Sequence, residues 1–377
     1  MKIAICINSA WNLINFRKNL IQRLVLEGHE VIAVAPVDKY VDQVKSLGCK
    51  FLPIKINNHG KNPFEDIILF LRYLLVLHTE KPDIILTYTI KPNIYGSFAA
   101  YFLGIPVVNN IAGLGTPFVN NNLLTRAVRK LYKLALFKSV KIFFQNNDDR
   151  SYFVQEGLVN AKMTDTLPGS GVDLQRFGFI SVSNSRGPTR FLLIGRMLWD
   201  KGVSELVQAT RQLKIRGFNI DVCLLGFLDL KNPRAIGLSQ IESWVGEGVV
   251  SYIGETEDVR QHIITADCII LPSFYREGIP RSLLEAASMG RPIITTDSVG
   301  CREVVDDGVN GFLCQPRNVN DLVEKMQQFI KLSPFDRAVM GIRSREKVER
   351  NYDENIVIYK YLEVIRSLTC PLPAVPK

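Results

Sequence analysis

The chain alternates short apolar runs of β type with stretches of helical spacing, and it does so twice. Lys2–Ile7, His29–Ala35, Phe51–Ile56, Asp83–Tyr88, Ile105–Asn109 and Lys141–Gln145 have strand character. Helices fit between them at about 38–47, 63–79, 93–103, 123–138 and 147–157, and Phe16, Leu20 and Leu24 carry the helical period up to Gly28. A polar, breaker-rich segment, Ser181 to Pro188, then interrupts the rhythm. It restarts with strands at Arg190–Ile194, Asp221–Leu225, Val249–Ile253, Cys268–Leu271 and Pro292–Thr295. Helices fit at about 202–216, 257–265, 281–289, 318–331, 335–349 and 354–367. Strands joined by helical crossovers predict parallel sheets wrapped by helices. The expectation is two α/β domains across a cleft, residues 1–172 and 173–353, with 354–377 a terminal helix and tail. Ligands of such sheets bind beyond the carboxyl ends of the strands.

Composition removes several alternatives. With 47% hydrophobic and 22% charged residues the chain is globular, not disordered. Its seven cysteines never form C-x-x-C and read as buried reduced thiols. The four histidines lack metal-ligand spacing. The first apolar run ends at Asn8, too short for a signal-peptide core, and the apolar stretch Ile67–Leu77 is broken by Arg72. The expectation is a soluble protein, or one that touches a membrane from one side. Charge is uneven: residues 1–172 hold 20 Lys/Arg against 12 Asp/Glu, and the rest 26 against 25. A basic half suggests an anionic partner, with nucleic acid, anionic lipid and phosphorylated substrate all open.

Two motifs carry chemistry. In Glu277-Gly278-Ile279-Pro280-Arg281-Ser282-Leu283-Leu284-Glu285, Pro280 suits the first turn of a helix. Glu277 then precedes the helix and Glu285 lies about one turn inside. The free N–H groups of Gly278 and Ile279 and the helix dipole make an anion site. Gly195-Arg196-Met197-Leu198-Trp199-Asp200-Lys201-Gly202 follows a strand and precedes a helix. Its guanidinium and ammonium suit a diphosphate. Two solvated carboxylates beside a capped helix, and a surface Arg and Lys on a loop, are the plain alternatives.

The two motifs together resemble the carboxyl-terminal domain of glycosyltransferase family 4. That resemblance implies a retaining enzyme of GT-B fold, two Rossmann-like domains, using nucleotide-diphosphate sugars. It implies that Glu285 holds the ribose, Glu277 contacts the donor sugar, and Arg196 and Lys201 hold the diphosphate. More loosely, Gly254 belongs to the nucleobase region. Fixed cations and helix N–H groups would stabilise the departing diphosphate. No Asp-x-Asp pair occurs, so a metal-independent reaction is expected, with no cofactor and the UDP-sugar as substrate.

In the amino-terminal half, Asn8–Arg17 replaces the family's Gly-rich turn. Asn15 is expected to cap the following helix, Arg17 to face the cleft, and Asn15 and Phe16 to lie near the donor. Thr87–Asn93 and Asn110–Phe118 resemble a subgroup that adds N-acetylhexosamine-type sugars to polyprenyl-diphosphate-linked saccharides. Thr89, Lys91, Gly113 and Gly115 are then expected at the acceptor, Lys91 meeting its phosphate. No histidine lies near the glycine loop, so no protein base is assigned and the leaving phosphate takes the acceptor proton. Arg126, Arg129, Lys130 and Lys133 form the basic face of an amphipathic helix suited to an anionic bilayer. An ordinary half-buried helix is the alternative. The expected location is the inner face of a bacterial cytoplasmic membrane. Rival readings are a soluble acceptor, a GT-B sugar-nucleotide epimerase, or a non-catalytic saccharide- or nucleic-acid-binding protein. No aromatic-plus-basic RNA motif is present, and nucleic acid is not expected as a partner.

Overall fold

The computed structural model describes residues 1–58, 60, 62–114, 123–181, 187–230 and 232–369. The chain divides into two compact units. One takes Met1–Ser170 and the chain from Asn355 onward; the other takes Gly171–Glu354.

The first unit runs β1 (Lys2–Cys6), α1 (Ala10–Phe16), α2 (Lys18–Leu26), β2 (Glu30–Ala35), α3 (Val41–Lys45), β3 (Lys50–Pro53), α4 (Pro63–Glu80) and β4 (Ile84–Tyr88). It continues through α5 (Ser97–Phe102), β5 (Val107–Ile111), α6 (Leu123–Leu136), β6 (Lys141–Phe144), α7 (Asn147–Gln155) and β7 (Thr164–Thr166). The strands order as β3-β2-β1-β4-β5-β6-β7, and every pair is parallel. Central strands are buried on both faces, which is why β1 and β4 read as mostly apolar runs and not as alternating ones, while β5 carries the buried Asn109 and Asn110. Local signals set the helix starts: Ser9, Asn62 and Asn146 accept from backbone N–H groups of the first turns of α1, α4 and α7, and Pro63 opens α4.

The second unit runs β8 (Thr189–Ile194), α8 (Val203–Ile215), β9 (Ile220–Leu225), α9 (Leu238–Gly246), β10 (Ser251–Gly254), α10 (Arg260–Thr265) and β11 (Cys268–Leu271). Then come α11 (Arg281–Ser288), β12 (Ile293–Thr296), β13 (Gly311–Cys314), α12 (Val319–Lys331) and α13 (Pro334–Asn351). Its sheet order is β10-β9-β8-β11-β12-β13, again parallel. The last helix, α14 (Glu354–Thr369), packs Val357, Tyr361, Leu362 and Ile365 into the first unit's core with Ile3, Ile5 and Leu86. Lys360 pairs with Asp165 at 2.9 Å there, and Arg366 with Glu27 at 3.0 Å.

Several expectations need correcting. The helix expected to carry Phe16 on to Gly28 is two helices, broken at Arg17 (φ −133°). Asn15 therefore caps nothing; its amide donates to the Trp11 carbonyl one turn back inside α1. The strands β7 and β13 and the helices α1 and α9 lie outside the elements that the sequence pattern predicts. β7, Thr164-Asp165-Thr166, lacks an apolar run, because an edge strand of three residues needs none. Of the described cysteines, five are buried and Cys223 is half-buried; none is in a disulfide. Burial pushes the Cys6 thiol up to about 12.

Candidate active site

The Arg196 and Glu277 motifs meet at the carboxyl ends of β8 and β11. Glycines make this meeting possible. Gly202 sits at φ +73°, and a β-carbon there would lie 2.7 Å from the carbonyl carbon of Pro272. The loop leaving β8 thus presses against the loop leaving β11, and only glycine fits the contact. Backbone bonds fasten the two loops: Phe274 N–H donates to the Asp200 carbonyl at 3.0 Å.

At this junction the Lys201 ammonium donates to both oxygens of Glu277, at 2.6 and 2.7 Å. Both side chains are only 14% exposed. Such a shielded pair is held far more firmly than an exposed one, because water competes less. Ser273 adds a third contact, its hydroxyl 2.7 Å from Glu277 Oε1. The same hydroxyl lies 3.2 Å from the Asp200 carbonyl. Thr296 and Ser298 hydroxyls donate to the Ser273 carbonyl from the loop after β12. Ser273 thereby fixes one Glu277 rotamer.

Arg196 points elsewhere. Its guanidinium pairs with Asp229 at 3.0 Å and is 44% exposed. The expected Arg196–Lys201 couple is therefore two separate ion pairs, each cation with its own carboxylate. Asp229 and Ser273 went unassigned in the sequence, since neither stands at a diagnostic spacing.

Gly278 and Ile279 precede α11. A β-carbon on Gly300 (φ +86°) would meet the carbonyl carbon of Gly278 at 2.8 Å, so the loop after β12 backs this segment closely. Pro280 is not in the first helical turn as expected: it is the residue flanking α11, with φ −63° and ψ 117°, and the helix begins at Arg281. Its ring still fits, because the flanking position needs no N–H donor inside the helix. Glu285 lies one turn in and pairs with Arg281 at 3.1 Å, both side chains about 15% exposed. Burial pushes the Glu285 carboxyl up, and the Arg281 charge opposes that. Arg281 also donates to the Gly171 carbonyl at 2.6 Å. Gly254 ends β10 at φ +85°, its carbonyl accepting from Gly226 N–H at 2.7 Å. Gly226 in turn lies so close to Gly195 that a β-carbon would sit 2.7 Å from the Gly195 carbonyl carbon. The carboxyl ends of β8, β9 and β10 are thus laced together by Gly195, Gly226 and Gly254.

In the first unit, the carboxyl ends of β4 and β5 carry a buried amide network. Asn93 accepts from the Thr87 hydroxyl at 2.7 Å and donates to the Asn110 carbonyl at 2.8 Å. Asn109 donates to Thr87 and Ser97, each at 2.8 Å, and accepts from Ser139 at 2.5 Å. Asn110 reaches Tyr361 on α14 at 3.0 Å. Buried amides satisfied this fully hold their surroundings rigidly. The network positions Thr89 and Lys91. Thr89 adopts φ +66°, which costs a β-branched residue about 1–2 kcal/mol. Lys91 is 14% exposed and bonded to Asp66 at 2.7 Å, so it is neither a free surface lysine nor an unpaired cation. Gly113 has φ +119°; Gly115 lies outside the described residues.

Phe16 packs edge-on against Trp11, ring centroids 5.4 Å apart. Arg17, expected to face the cleft, is buried with its guanidinium 4.2 Å above the Tyr88 ring. On α6, Arg126, Lys130 and Lys133 are exposed. Arg129 departs from that face: it pairs with Glu156 at 3.3 Å and lies 5.4 Å from the Tyr152 ring. A guanidinium with a carboxylate and an aromatic face within reach turns inward from solvent.

Two family models match the chain in succession. Residues 2–146 match "Glycosyl transferase 4-like" and residues 188–331 match "Glycosyl transferases group 1". The chain is thus built of glycosyltransferase domains of these two types. Among proteins similar to it is the N,N'-diacetylbacillosaminyl-diphospho-undecaprenol alpha-1,3-N-acetylgalactosaminyltransferase of Campylobacter jejuni. That relative is 27% identical over 97% of this chain and 98% of its own length. The UDP-Gal:alpha-D-GlcNAc-diphosphoundecaprenol alpha-1,3-galactosyltransferase of Escherichia coli is 24% identical over 88% of this chain and 86% of its own. The solved structure of Anabaena Alr3699/HepE in complex with UDP-glucose superposes with a TM-score of 0.78 at 18% identity, covering 97% of this chain and 100% of that one. The transferase therefore has the GT-B fold, with two parallel-sheet α/β domains.

Proposed function

We propose that this glycosyltransferase moves a hexose or N-acetylhexosamine from a UDP-sugar to a polyprenyl-diphosphate-linked saccharide, with retention and without a metal ion. The Lys201–Glu277–Ser273 cluster at the mouth of β8 and β11 carries the reading. It puts a fixed cation and a fixed carboxylate side by side, beside the backbone of Gly278 and the amino end of α11. A bond between sugar and phosphate breaks with negative charge growing on the diphosphate and positive character on the anomeric carbon. Lys201 and Arg196 answer the first, with the N–H groups of Gly278 and Ile279. Glu277, held by Lys201 and Ser273, answers the sugar's hydroxyls. Glu285 takes the ribose and Gly254 borders the base. The second unit is thus the donor domain.

The first unit takes the acceptor at Thr89, Lys91 and Gly113. Lys91 reaches an acceptor phosphate by exchanging Asp66 for it. The two similar transferases, whose names specify diphospho-undecaprenol-linked acceptors, support this choice. No helix among the described residues is long and apolar enough to cross a membrane. The acceptor is met at an anionic surface, toward which the exposed Arg126, Lys130 and Lys133 exert attraction.

Two measurements test the reading. UDP titration should show at least tenfold weaker binding to Glu285→Ala than to wild type; equal binding sinks the ribose assignment. Radiolabelled donor incubated with extracted lipid acceptor should put label in the organic phase. Label that stays aqueous rejects the lipid-linked acceptor.

A further inference from the structure

The helix α4 breaks the usual pattern of a surface helix. Leu69, Tyr73 and Leu77 form its buried stripe. The opposite stripe should be polar, yet it is built of Phe64, Ile67, Ile68, Leu71 and Leu75. These are exposed by 75%, 56%, 47%, 53% and 68%. The ionisable groups near its start are turned to other partners: Asp66 to Lys91, and Glu65 to the Asn57 amide at 2.8 Å. Arg72 folds back to the Lys55 carbonyl at 2.8 Å.

The ridge does not end with α4. Phe70 meets Phe102 of α5 edge-on at 5.7 Å, and Phe102 is itself 72% exposed. Beside it, the Lys138 ammonium sits 4.0 Å above the Tyr101 ring. Exposed apolar side chains scattered singly are ordinary, but a run of this length on one unit marks an interaction surface.

We propose that the α4–α5 ridge is the part of this protein that enters an anionic lipid bilayer, with the basic residues around it resting on the headgroups. Charge decides the occupant. Lys138 borders the ridge, Lys130 and Lys133 are exposed on the neighbouring α6, and residues 1–172 carry 20 Lys/Arg against 12 Asp/Glu. A second copy of the chain would bring like charge against like charge. An anionic surface brings the opposite sign, and acyl chains ask no hydrogen bonds of a stripe that has none to give. This deepens the membrane-linked acceptor reading by naming the contact element, with a test that does not depend on sugar transfer.

The test uses vesicles of phosphatidylethanolamine and phosphatidylglycerol with the full chain. Sedimentation should show wild type bound, and Ile67→Ser/Leu71→Ser/Leu75→Ser bound at least about tenfold more weakly. UDP affinity of the triple variant should be unchanged, because these side chains lie on the surface of the other unit. Unchanged vesicle binding by the triple variant overturns the proposal, as does absence of binding by wild type. If the triple variant does not fold, Leu71→Trp decides: its added fluorescence should be quenched by brominated acyl chains, and lack of quenching overturns the proposal. Analytical ultracentrifugation adds the remaining outcome. A wild-type dimer that the triple variant abolishes, with neither binding vesicles, assigns the ridge to a second copy and refutes lipid. Failure of the donor-site reading would show in the Glu285→Ala titration and leave every vesicle result in place.

Discussion

Gly202→Ala is the sharpest test of how the donor site is assembled. Gly202 flanks the start of α8 at φ +73°. Alanine there pays for left-handed backbone with about 1–2 kcal/mol. The larger effect is steric. The new β-carbon would stand 2.7 Å from the carbonyl carbon and 2.9 Å from Cγ of Pro272, where ordinary contact is about 3.5–4.0 Å. The β8 and β11 loops must therefore part by roughly 1 Å, and a displacement of that size near reacting groups costs about 10²-fold in rate. Lys201 adjoins Gly202 and Glu277 lies five residues beyond Pro272, so the ion pair between them absorbs the shift. The control is Gly217→Ala, at φ +81° beyond the other end of the same helix, where nothing lies within 4 Å of the new carbon. It bears the same backbone penalty without the clash. Steady-state kinetics with UDP-sugar should show kcat/KM down about hundredfold for Gly202→Ala and within about twofold of wild type for Gly217→Ala. Comparable activity of the two variants would refute the argument that loop contact builds the site.

Two further outcomes follow from the same geometry. Ser273→Ala removes a hydrogen bond to the Glu277 carboxylate, worth about 1.5–3 kcal/mol, so kcat should fall about tenfold to hundredfold while UDP affinity holds; a loss of UDP affinity instead would place Ser273 in the nucleotide pocket. Arg281→Met bears on pH. Glu285 has a raised pKa that Arg281 opposes, so its ionised form is the one the fold disfavours, and the associated stability is present below the ordinary carboxylate range and fades as pH rises through the raised value. If the ribose binds the carboxylate form, UDP affinity falls on acidification, and Arg281→Met should move that midpoint to higher pH. A midpoint that stays put, read by calorimetric titration over about pH 5–8, would separate Glu285 ionisation from donor binding.

The sequence by itself determined that the chain forms two α/β units with parallel sheets; the strand order came from the tertiary structure. Strands buried on both faces are mostly apolar, so β1, β4, β8 and β11 stand out as apolar runs, and α4 as a helical stretch at about 63–79. β7, whose Thr164-Asp165-Thr166 is polar, left no such mark, and β13, Gly311-Phe312-Leu313-Cys314, is too short a run to stand out. The two site motifs were legible because glycine, proline and charge at strand ends serve backbone geometry that is local in the chain. What those charges face was not. Lys201 and Glu277 are 76 residues apart, and only the packing of two loops at Gly202 brings them to 2.6 Å. Ser273 gained its role from the same contact, and Arg129 lost its place on the α6 basic face to Glu156. The α4 ridge shows the limit most plainly. Ile67–Leu77 is an apolar stretch broken by Arg72, and apolar side chains look alike in sequence whether they are buried or not. Tertiary packing covered one stripe of that helix and left the other to water, because a helix can press only one side against the sheet beneath it.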